Sequence, residues 1–357
     1  MTQYRTQGKI LRGLGGLYDI SLLTADRHAA AYSARAAEPD TPDAAPALTV
    51  ASPLAGQCVQ CRARGVFRYH GEKPLIGDDV LLRYSDASCI PDPRDPTRFS
   101  PSPDGTDVVI EAILPRRCAL IRPPLANLDH LFVTLAAASP EPMPMLADKL
   151  LSIAEFHHIT PAVLITKCEL DRPRAAELCG IYRLAGYPVF PLSCRCDEGV
   201  EDVRNYLKAV LLPGQISAFA GVSGVGKSTL LNALFPALHL ETSEISRKIE
   251  RGRHTTRCVT LYPVTDAPDS PYLADTPGFS MLDFERFDFF DLEDLPETMR
   301  EFRPYLGSCR YTKCSHTKEQ GCAVLEAVRA GKIAPSRHES YCAMYDALKG
   351  KNAWDKK

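Results

Sequence analysis

The segment GVSGVGKST, at 221–229, has the residue types and spacing that bind nucleotide phosphates. Its glycines let backbone N–H groups close around phosphate oxygens, and the helix expected after it adds a favourable field. Lys227 is expected to reach the outer phosphates and the Ser228 hydroxyl to bind Mg²⁺. A glycine-rich turn is the competing interpretation, but the flanking strand and helix patterns favour a nucleoside triphosphate site. The predicted contacts are Gly221, Val222, Ser223, Gly224, Val225, Gly226, Lys227, Ser228 and Thr229.

A second short motif, DTPG, lies downstream at 275–278 and follows the apolar segment PYLA. On its own, D-x-P-G is an ordinary turn sequence. After a phosphate-binding loop it fits a magnesium-side motif, in which Asp275 acts through the water shell of the metal and the Gly278 N–H meets the γ-phosphate. We therefore expect Asp275 and Gly278 to belong to the same nucleotide site.

The stretch VLITKCEL, at 163–170, has the pattern of a buried strand followed by a polar turn and resembles the base-reading motif of GTPases. The predicted base contacts are Thr166, Lys167, Cys168 and Glu169, with a second contact from Ser193 and Cys194 in PLSCRCDEG. Both segments precede the phosphate-binding loop, whereas ordinary GTPases have them after it. The rearrangement is physically allowed, because the ends of a domain often lie close together and can be rejoined.

Thr166 and Glu169 depart from the usual Asn-Lys-x-Asp sequence of the base-reading motif. A glutamate can still accept a pair of hydrogen bonds from N1 and N2 of guanine, although its extra methylene group must be accommodated. A preference for guanine is therefore expected, and weaker discrimination against adenine is the alternative that these residues leave open.

A cysteine cluster, CRYTKCSHTKEQGC, has the spacing C-x4-C-x-H-x5-C. Its candidate ligands are Cys309, Cys314, His316 and Cys322. Three thiolates and one imidazole complete a tetrahedral zinc shell with no open position, which predicts one structural zinc ion. The competing interpretation is a chance grouping of reduced thiols. Cys58 and Cys61 form a C-x-x-C without a matching pair, and we interpret them as ordinary thiols.

The composition bounds the class of protein that must position these residues. A chain of 357 residues with 45% hydrophobic and 24% charged content suits two or three globular domains. Its 13 cysteines, without an apparent secretory leader or long apolar run, predict reduced thiols, a cytoplasmic location and no membrane contact. The net charge of −2 means that any nucleic-acid binding must come from local basic patches.

The elements divide the chain into three regions. Residues 1–117 contain short strand-like runs that predict a small antiparallel barrel, interrupted near 28–56 and 85–106 by Ala-, Pro- and Ser-rich segments that we expect to be mobile loops. In 118–284, strand-like runs alternate with helical periodicity, which predicts a doubly wound parallel sheet. Residues 285–357 are assigned to a small zinc-binding and helical domain.

RNA binding is a weaker prediction. The segment 309–338 contains an excess of basic residues, namely Arg310, Lys313, Lys318, Arg329, Lys332 and Arg337. It fits a phosphate-facing surface, and a solvated helix face explains the same charges equally well. A barrel of the oligonucleotide-binding type commonly presents a nucleic-acid face, which adds weight to the first interpretation.

The order of motifs resembles a known family. The base-reading motif comes first, followed by the phosphate-binding loop, GRHTT and DTPGF, between an N-terminal barrel and a C-terminal cysteine cluster. This arrangement is similar to RsgA, the family of circularly permuted GTPases that depend on the small ribosomal subunit. The similarity extends to LPRRCALIRPPLANLDHLF, with Asn127 and Asp129, and to RHESYCAMYDAL.

Membership of that family would imply an enzyme that hydrolyses GTP to GDP, acts in late maturation of the small (30S) subunit, binds its rRNA, and leaves after subunit-stimulated hydrolysis. A monomer is expected. Phe279 stands where many GTPases have a water-orienting glutamine, and by motif position the resemblance assigns that role to His254. It also implies Mg²⁺ bound through Ser228 and the switch threonines Thr255 and Thr256. The alternative is a GTP-dependent RNA-binding scaffold with incidental turnover.

Overall fold

A computed structural model gives the fold for most of the chain. The described residues are 3–23, 57–63, 67, 73–85, 89–92, 95–101, 108–121, 123–236, 259–267, 270–275 and 291–350. His254, Thr255, Thr256 and Gly278 lie outside these ranges, as does the predicted loop at 28–56. Within the described ranges, none of the helices has the length and apolar character needed to cross a bilayer.

The N-terminal region forms a closed barrel, as the sequence predicts. Its five strands are β1 (Gln3–Leu14), β2 (Leu17–Leu22), β3 (Cys58–Ala63), β4 (Asp79–Ser85) and β7 (Val109–Ile113). They pair in the order β2-β1-β4-β7-β3, and β3 returns to β2 to close the ring. These pairings are antiparallel, as predicted, except that of β3 with β7, which is parallel. Alternate side chains point inward, so Val59 and Cys61 are buried while Cys58 is half-buried. Burial raises the pKa of Cys61 to about 12, which suits an inert core thiol.

The predicted loop at 85–106 contains a β-hairpin instead of irregular chain alone. Strands β5 (Cys89–Asp92) and β6 (Asp95–Pro101) pair antiparallel, and β6 also pairs with β3. The prolines of this segment favour a loop, but β5 is the outermost strand of the sheet. Edge strands tolerate proline because one side of the strand needs no ladder hydrogen bonds.

The central region is a six-stranded sheet with helices on both faces. After a short ribbon of β8 (Ala119–Leu120) and β9 (Leu125–Ala126), its strands are β10 (Leu128–Ala136), β11 (Thr160–Thr166), β12 (Val189–Pro191), β13 (Ile216–Ala220), β14 (Thr260–Pro263) and β15 (Tyr272–Asp275). Their spatial order is β12-β11-β10-β13-β15-β14, and only β14 is antiparallel to its neighbour. The central strands are continuous apolar runs because both of their faces are covered.

Among the described residues, four helices cover this sheet: α1 (Pro144–Phe156), α2 (Arg172–Leu184), α3 (Val200–Val210) and α4 (Lys227–Leu234). α1 and α2 contribute to one apolar core, and α3 and α4 contribute to a second. The start of α2 is fixed by Asp171, whose side chain accepts a hydrogen bond from the Arg174 N–H at 2.9 Å. The doubly wound sheet predicted from the alternating pattern is therefore confirmed.

The C-terminal region packs directly on α1. It contains α5 (Leu295–Thr298), a 3-10 helix (Arg300–Tyr305), α6 (Ala323–Arg329) and α7 (Pro335–Lys349). The buried rings of Phe302 and Tyr341 lie 4.9 Å apart in the same apolar core that includes the buried side of α1. The C-terminal region and the parallel-sheet domain thus share a continuous hydrophobic core.

Arg337 connects these two regions through buried ion pairs. It is only 1% exposed, and its guanidinium donates to Glu301 Oε1 at 2.7 Å and to Asp148 Oδ1 at 2.6 Å. Asp148 belongs to α1, whereas Glu301 belongs to the 3-10 helix. The inclusion of Arg337 in a phosphate-facing surface was therefore wrong, because carboxylates 189 and 36 positions away in the chain neutralise it inside the protein.

A second joint connects the barrel to the parallel sheet. Asn127 accepts a hydrogen bond from the Arg117 N–H at 2.8 Å and donates one to the Gly77 carbonyl at 3.0 Å. Asp129 accepts from the Arg117 guanidinium at 2.9 Å and from the Ile216 N–H, at the start of β13, at 2.8 Å. Asn127 and Asp129, which the sequence singled out only by resemblance, therefore anchor the barrel to the strand that leads into the phosphate-binding loop.

Candidate nucleotide site and metal centre

The phosphate-binding loop connects β13 to α4, at the carboxyl end of the parallel sheet, where open α/β sheets bind ligands. Gly221 begins the loop with φ +152°, and a Cβ at this position would lie 2.3 Å from the carbonyl oxygen of Thr134. Only glycine fits this approach between the loop and β10. Gly224 and Gly226 also have positive φ, and Ser223 and Gly224 are exposed at the tip of the loop.

Lys227 lies across its own loop. Its Nζ donates to the carbonyl oxygens of Gly221 at 2.6 Å and Val222 at 2.9 Å. Partial burial lowers the pKa of this amine to about 8. Ser228 and Thr229 are exposed in the first turn of α4. The loop thus holds a cation and the hydroxyls that would meet a bound phosphate at one end of a helix.

Thr166 joins the predicted base-reading loop to the phosphate-binding loop. It is the last residue of β11 and is buried. Its hydroxyl lies 2.6 Å from the Val225 carbonyl oxygen and 3.1 Å from that of Leu135. A hydroxyl has one hydrogen, so the closer Val225 carbonyl is the stronger acceptor. The two loops are therefore adjacent in space although 59 positions separate these residues in the chain.

Backbone contacts fix the shape of the base-reading loop. Lys167 has φ +55°, and its Nζ donates to the Ser139 carbonyl. The buried Cys168 donates its backbone N–H to Leu192 at 3.3 Å, which connects the loop to the end of β12. Sequence reasoning missed Ser139, because a backbone carbonyl acceptor depends on chain path and leaves no residue-type signal.

The structure brings Glu169 together with Ser193. A hydrogen bond from the Ser193 side chain lowers the pKa of the Glu169 carboxyl, so it is anionic at neutral pH. Its Oε2 is buried and, within the described part of the chain, accepts no hydrogen bond. Ser193 is buried and accepts from the Cys196 N–H at 3.1 Å, whereas Cys194 is half-buried. An available carboxylate oxygen is the acceptor that guanine N1 and N2 require.

Asp275 ends β15, the strand directly beside β13. The register of these strands pairs Ala218 with Ala274, which brings Asp275 to the same end of the sheet as the phosphate-binding loop. Gly278 and Phe279 follow it outside the described residues, as do the three GRHTT candidates His254, Thr255 and Thr256. Their relation to the nucleotide site remains a sequence prediction.

The four residues of the cysteine cluster meet in space. The ligand atoms of Cys309, Cys314, His316 and Cys322 all lie within 4.8 Å of one another, and among the described residues this group could hold a metal ion. His316 Nδ1 lies 3.5 Å from Cys309 Sγ and 3.4 Å from Cys322 Sγ, and the two sulfur atoms are 3.9 Å apart.

Hydrogen bonds from α7 and from Glu319 hold the backbone of this cluster in place. The Tyr341 hydroxyl donates to the Ser315 carbonyl at 2.8 Å, and His338 Nε2 lies 2.8 Å from the His316 carbonyl oxygen. Glu319 accepts from the N–H groups of Ser315 at 3.1 Å and of Thr317 at 3.2 Å. These hydrogen bonds fix the loops that carry the four candidate ligands, as hydrogen bonds around the ligands do at many metal sites.

Comparisons with known proteins agree with the geometry of the site. The family described as RsgA GTPase matches residues 113–285, and the RsgA N-terminal domain matches residues 49–88. Among relatives named small ribosomal subunit biogenesis GTPase RsgA, that of Geobacillus thermodenitrificans is 37% identical over 82% of this chain and 92% of its own length. That of Agathobacter rectalis is 33% identical over 97% of this chain and 99% of its own.

Two solved structures are also similar to this chain over nearly its full length. YjeQ from Thermotoga maritima superposes with a TM-score of 0.67 at 27% identity, covering 98% of this chain and 100% of that one. YloQ, described as a circularly permuted GTPase, superposes with a TM-score of 0.64 at 26% identity, covering 98% and 96%. The similarity therefore extends over all three regions of the fold.

Proposed function

The chain belongs to the RsgA family of GTPases, and from this membership we propose that it hydrolyses GTP during late maturation of the small (30S) ribosomal subunit, in the cytoplasm and as a monomer. Binding to the subunit and its rRNA stimulates hydrolysis, and conversion to GDP releases the protein. The observation that best supports the nucleotide assignment is the 2.6 Å hydrogen bond from Thr166 to Val225, which joins the loop proposed to read the base to the loop proposed to bind the phosphates.

Each part of this site has a role in the proposal. Glu169 and Ser193 bind the guanine edge, Lys227 pairs with the outer phosphates, and Ser228, Thr255 and Thr256 would hold Mg²⁺. When bound, Mg²⁺ would supply positive charge that offsets the charge developing on the transferred phosphoryl group. Asp275 would act through the water shell of the metal, and the Gly278 N–H would detect the γ-phosphate.

Multiple-turnover hydrolysis, measured with and without purified small subunits, tests the proposal. Subunits should raise the turnover rate, because docking supplies or orders the group that positions water where Phe279 cannot. Tight GTP-dependent docking without any stimulation would instead support the RNA-binding scaffold. Lys227→Met is the negative control. It removes the cation proposed to pair with the phosphates and should abolish subunit-stimulated turnover, while the subunits in the assay stay the same.

His254 is the proposed water-positioning residue. His254→Ala should lower subunit-stimulated turnover by about 100-fold or more if the imidazole acts on the attacking water. The affinity for GTP, measured separately, should be nearly unchanged. A normal turnover rate in this variant would remove His254 from the mechanism.

A purine competition assay tests the base preference. GTP should bind more tightly than ATP, because adenine has an acceptor N1 and a C–H where guanine has its N1 and N2 donors, and would leave the buried Glu169 oxygen unpaired. Glu169→Gln should reduce the discrimination, since an amide supplies only one acceptor oxygen. Equal affinities of the unaltered protein for both nucleotides would contradict the guanine assignment.

The metal centre is proposed to hold one structural zinc ion. Tetrahedral bonds of about 2.3 Å to sulfur and about 2.0 Å to nitrogen give ligand separations of roughly 3.8 Å and 3.5 Å. The observed sulfur–sulfur distance of 3.9 Å and the sulfur–nitrogen distances of 3.4 and 3.5 Å agree with them. With four protein ligands, the ion would stabilise the fold and take no part in hydrolysis.

A further inference from the structure

An exposed tyrosine stands in the loop between the first two candidate metal ligands. Tyr311 is 51% exposed, although large aromatic side chains usually bury most of their surface. The Arg310 guanidinium lies 5.7 Å from the centroid of its ring. Lys313, on the same loop, and Lys318, which follows the candidate ligand His316, are also exposed. We call these four residues, Arg310, Tyr311, Lys313 and Lys318, the metal-loop face.

The backbone that carries this face is fixed on several sides. Arg310 donates its N–H to the Gly321 carbonyl at 2.9 Å, and Ala323 donates to Cys309 Sγ at 3.4 Å. The Tyr341 hydroxyl donates a hydrogen bond to the Ser315 carbonyl. A ring presented by a fixed loop loses little conformational entropy on binding, which favours its use as a contact.

The charged side chains of the metal-loop face all have one sign. Arg310, Lys313 and Lys318 are cations, and the nearby carboxylate of Glu319 is occupied by the Ser315 hydroxyl and by backbone N–H groups. The core of a protein–protein interface is depleted in charged residues, and lysine is among the residue types that are under-represented there. An exposed ring among cations instead fits a nucleic acid, whose bases stack on aromatic faces while its phosphates attract the cations.

We propose that Tyr311 stacks on an unpaired base of small-subunit RNA while Arg310, Lys313 and Lys318 contact the phosphates beside it. This inference rests on the proposed function, because it assumes that the protein docks on the subunit. It also changes which residues form the basic surface of the C-terminal region. Arg337 is buried inside the protein, whereas the uncharged but exposed Tyr311 belongs to this surface.

Affinity for purified small subunits, measured with a non-hydrolysable GTP analogue over a range of salt concentrations, tests the proposal. Tyr311→Ala should weaken binding roughly 5- to 150-fold, the range expected for one stacked base, without changing the salt dependence. Lys313→Ala should reduce the slope of log K against log[salt] by about 0.7 to 0.9, because it removes one phosphate contact. Tyr311→Phe should bind like the unaltered protein.

Three further measurements separate the possible failures. Leu212→Ala removes an exposed apolar side chain of the parallel-sheet domain and should leave affinity unchanged. The metal content of each Tyr311 variant shows whether the loop is intact. In a Trp354→Phe background, the fluorescence of Tyr311→Trp should be quenched when subunits bind, since stacking on a base quenches indole.

Failure of this inference differs from failure of the proposed function. If the unaltered protein does not bind subunits, the proposed function fails. If it binds and metal-loaded Tyr311→Ala binds equally well, stacking by Tyr311 is excluded. Should Tyr311→Ala weaken binding to intact subunits but not to protein-free small-subunit RNA, the ring contacts a ribosomal protein and the RNA assignment is overturned.

Discussion

At the scale of single residues, the buried Thr166 contributes to the stability of the fold and joins two loops of the candidate nucleotide site. Thr166→Val keeps the shape of the side chain but removes the hydroxyl that bonds to Val225. The buried carbonyl loses its partner, which should lower the free energy of unfolding by about 1 to 3 kcal/mol. GTP should bind roughly 2- to 12-fold more weakly, as expected for one lost hydrogen bond that shapes the loop.

The comparison that isolates this hydroxyl lies on the same strand. Thr160→Val makes the identical change at the exposed start of β11 and should alter stability by no more than about 0.5 kcal/mol. Thr166→Ser, which retains the hydroxyl, should recover most of the GTP affinity. If Thr166→Val binds GTP as tightly as the unaltered protein, the two loops do not depend on this bond.

At the scale of secondary-structure elements, α1 connects the parallel-sheet domain to the C-terminal region. It begins directly after the segment whose Ser139 carbonyl accepts from Lys167, and its Asp148 pairs with Arg337 of α7. Arg337→Met should lower the free energy of unfolding by about 3 to 5 kcal/mol, because it leaves two buried carboxylates without their cation. Denaturant unfolding measures this change.

A matched arginine on the surface provides the control. Arg329→Met, at the exposed end of α6, should shift stability by no more than about 0.5 kcal/mol. Adding Asp148→Asn and Glu301→Gln to Arg337→Met should recover part of the loss, since the uncompensated charges are then removed. No recovery in this triple variant would mean that the guanidinium contributes packing more than charge.

The elements also show how far the sequence alone can reach. The phosphate-binding loop, the barrel and the cysteine cluster were predictable because each is encoded by local spacing. The surroundings of Arg337 were not, since its partners Asp148 and Glu301 lie far away in the chain and only packing brings them together. Likewise, the hairpin of β5 and β6 has an unfavourable composition for strands and forms because β3 offers it an edge.

At the scale of the whole molecule, metal removal should affect more than the C-terminal region. The cluster is supported by α7, and α7 shares its core with α1 of the parallel-sheet domain. Chelation, or Cys309→Ala, should therefore lower the melting temperature of the protein as a whole and weaken GTP binding indirectly. Calorimetry with and without a chelator measures the effect.

Cys342 is the control for this prediction. Its thiol lies 3.7 Å from His338 Nε2, near the cluster but outside the four ligand atoms. Cys342→Ala should keep one metal ion per chain and nearly the same melting temperature. Two separate thermal transitions after chelation, with the upper one unchanged, would show that the parallel-sheet domain is independent of the metal.

The order of strands in the sheet has a consequence for the synthesis of the chain. β10 emerges from the ribosome with β11 and β12 soon after it, but its other neighbour, β13, follows only roughly 80 residues later. At about 5–20 residues per second, the apolar edge of β10 waits roughly 4–16 s for its partner. Unpaired strand edges invite association with other chains. Rearranging the domain has therefore given the nascent chain an incomplete half-sheet, whose central strand β10 gains its second neighbour only when β13 has been synthesised.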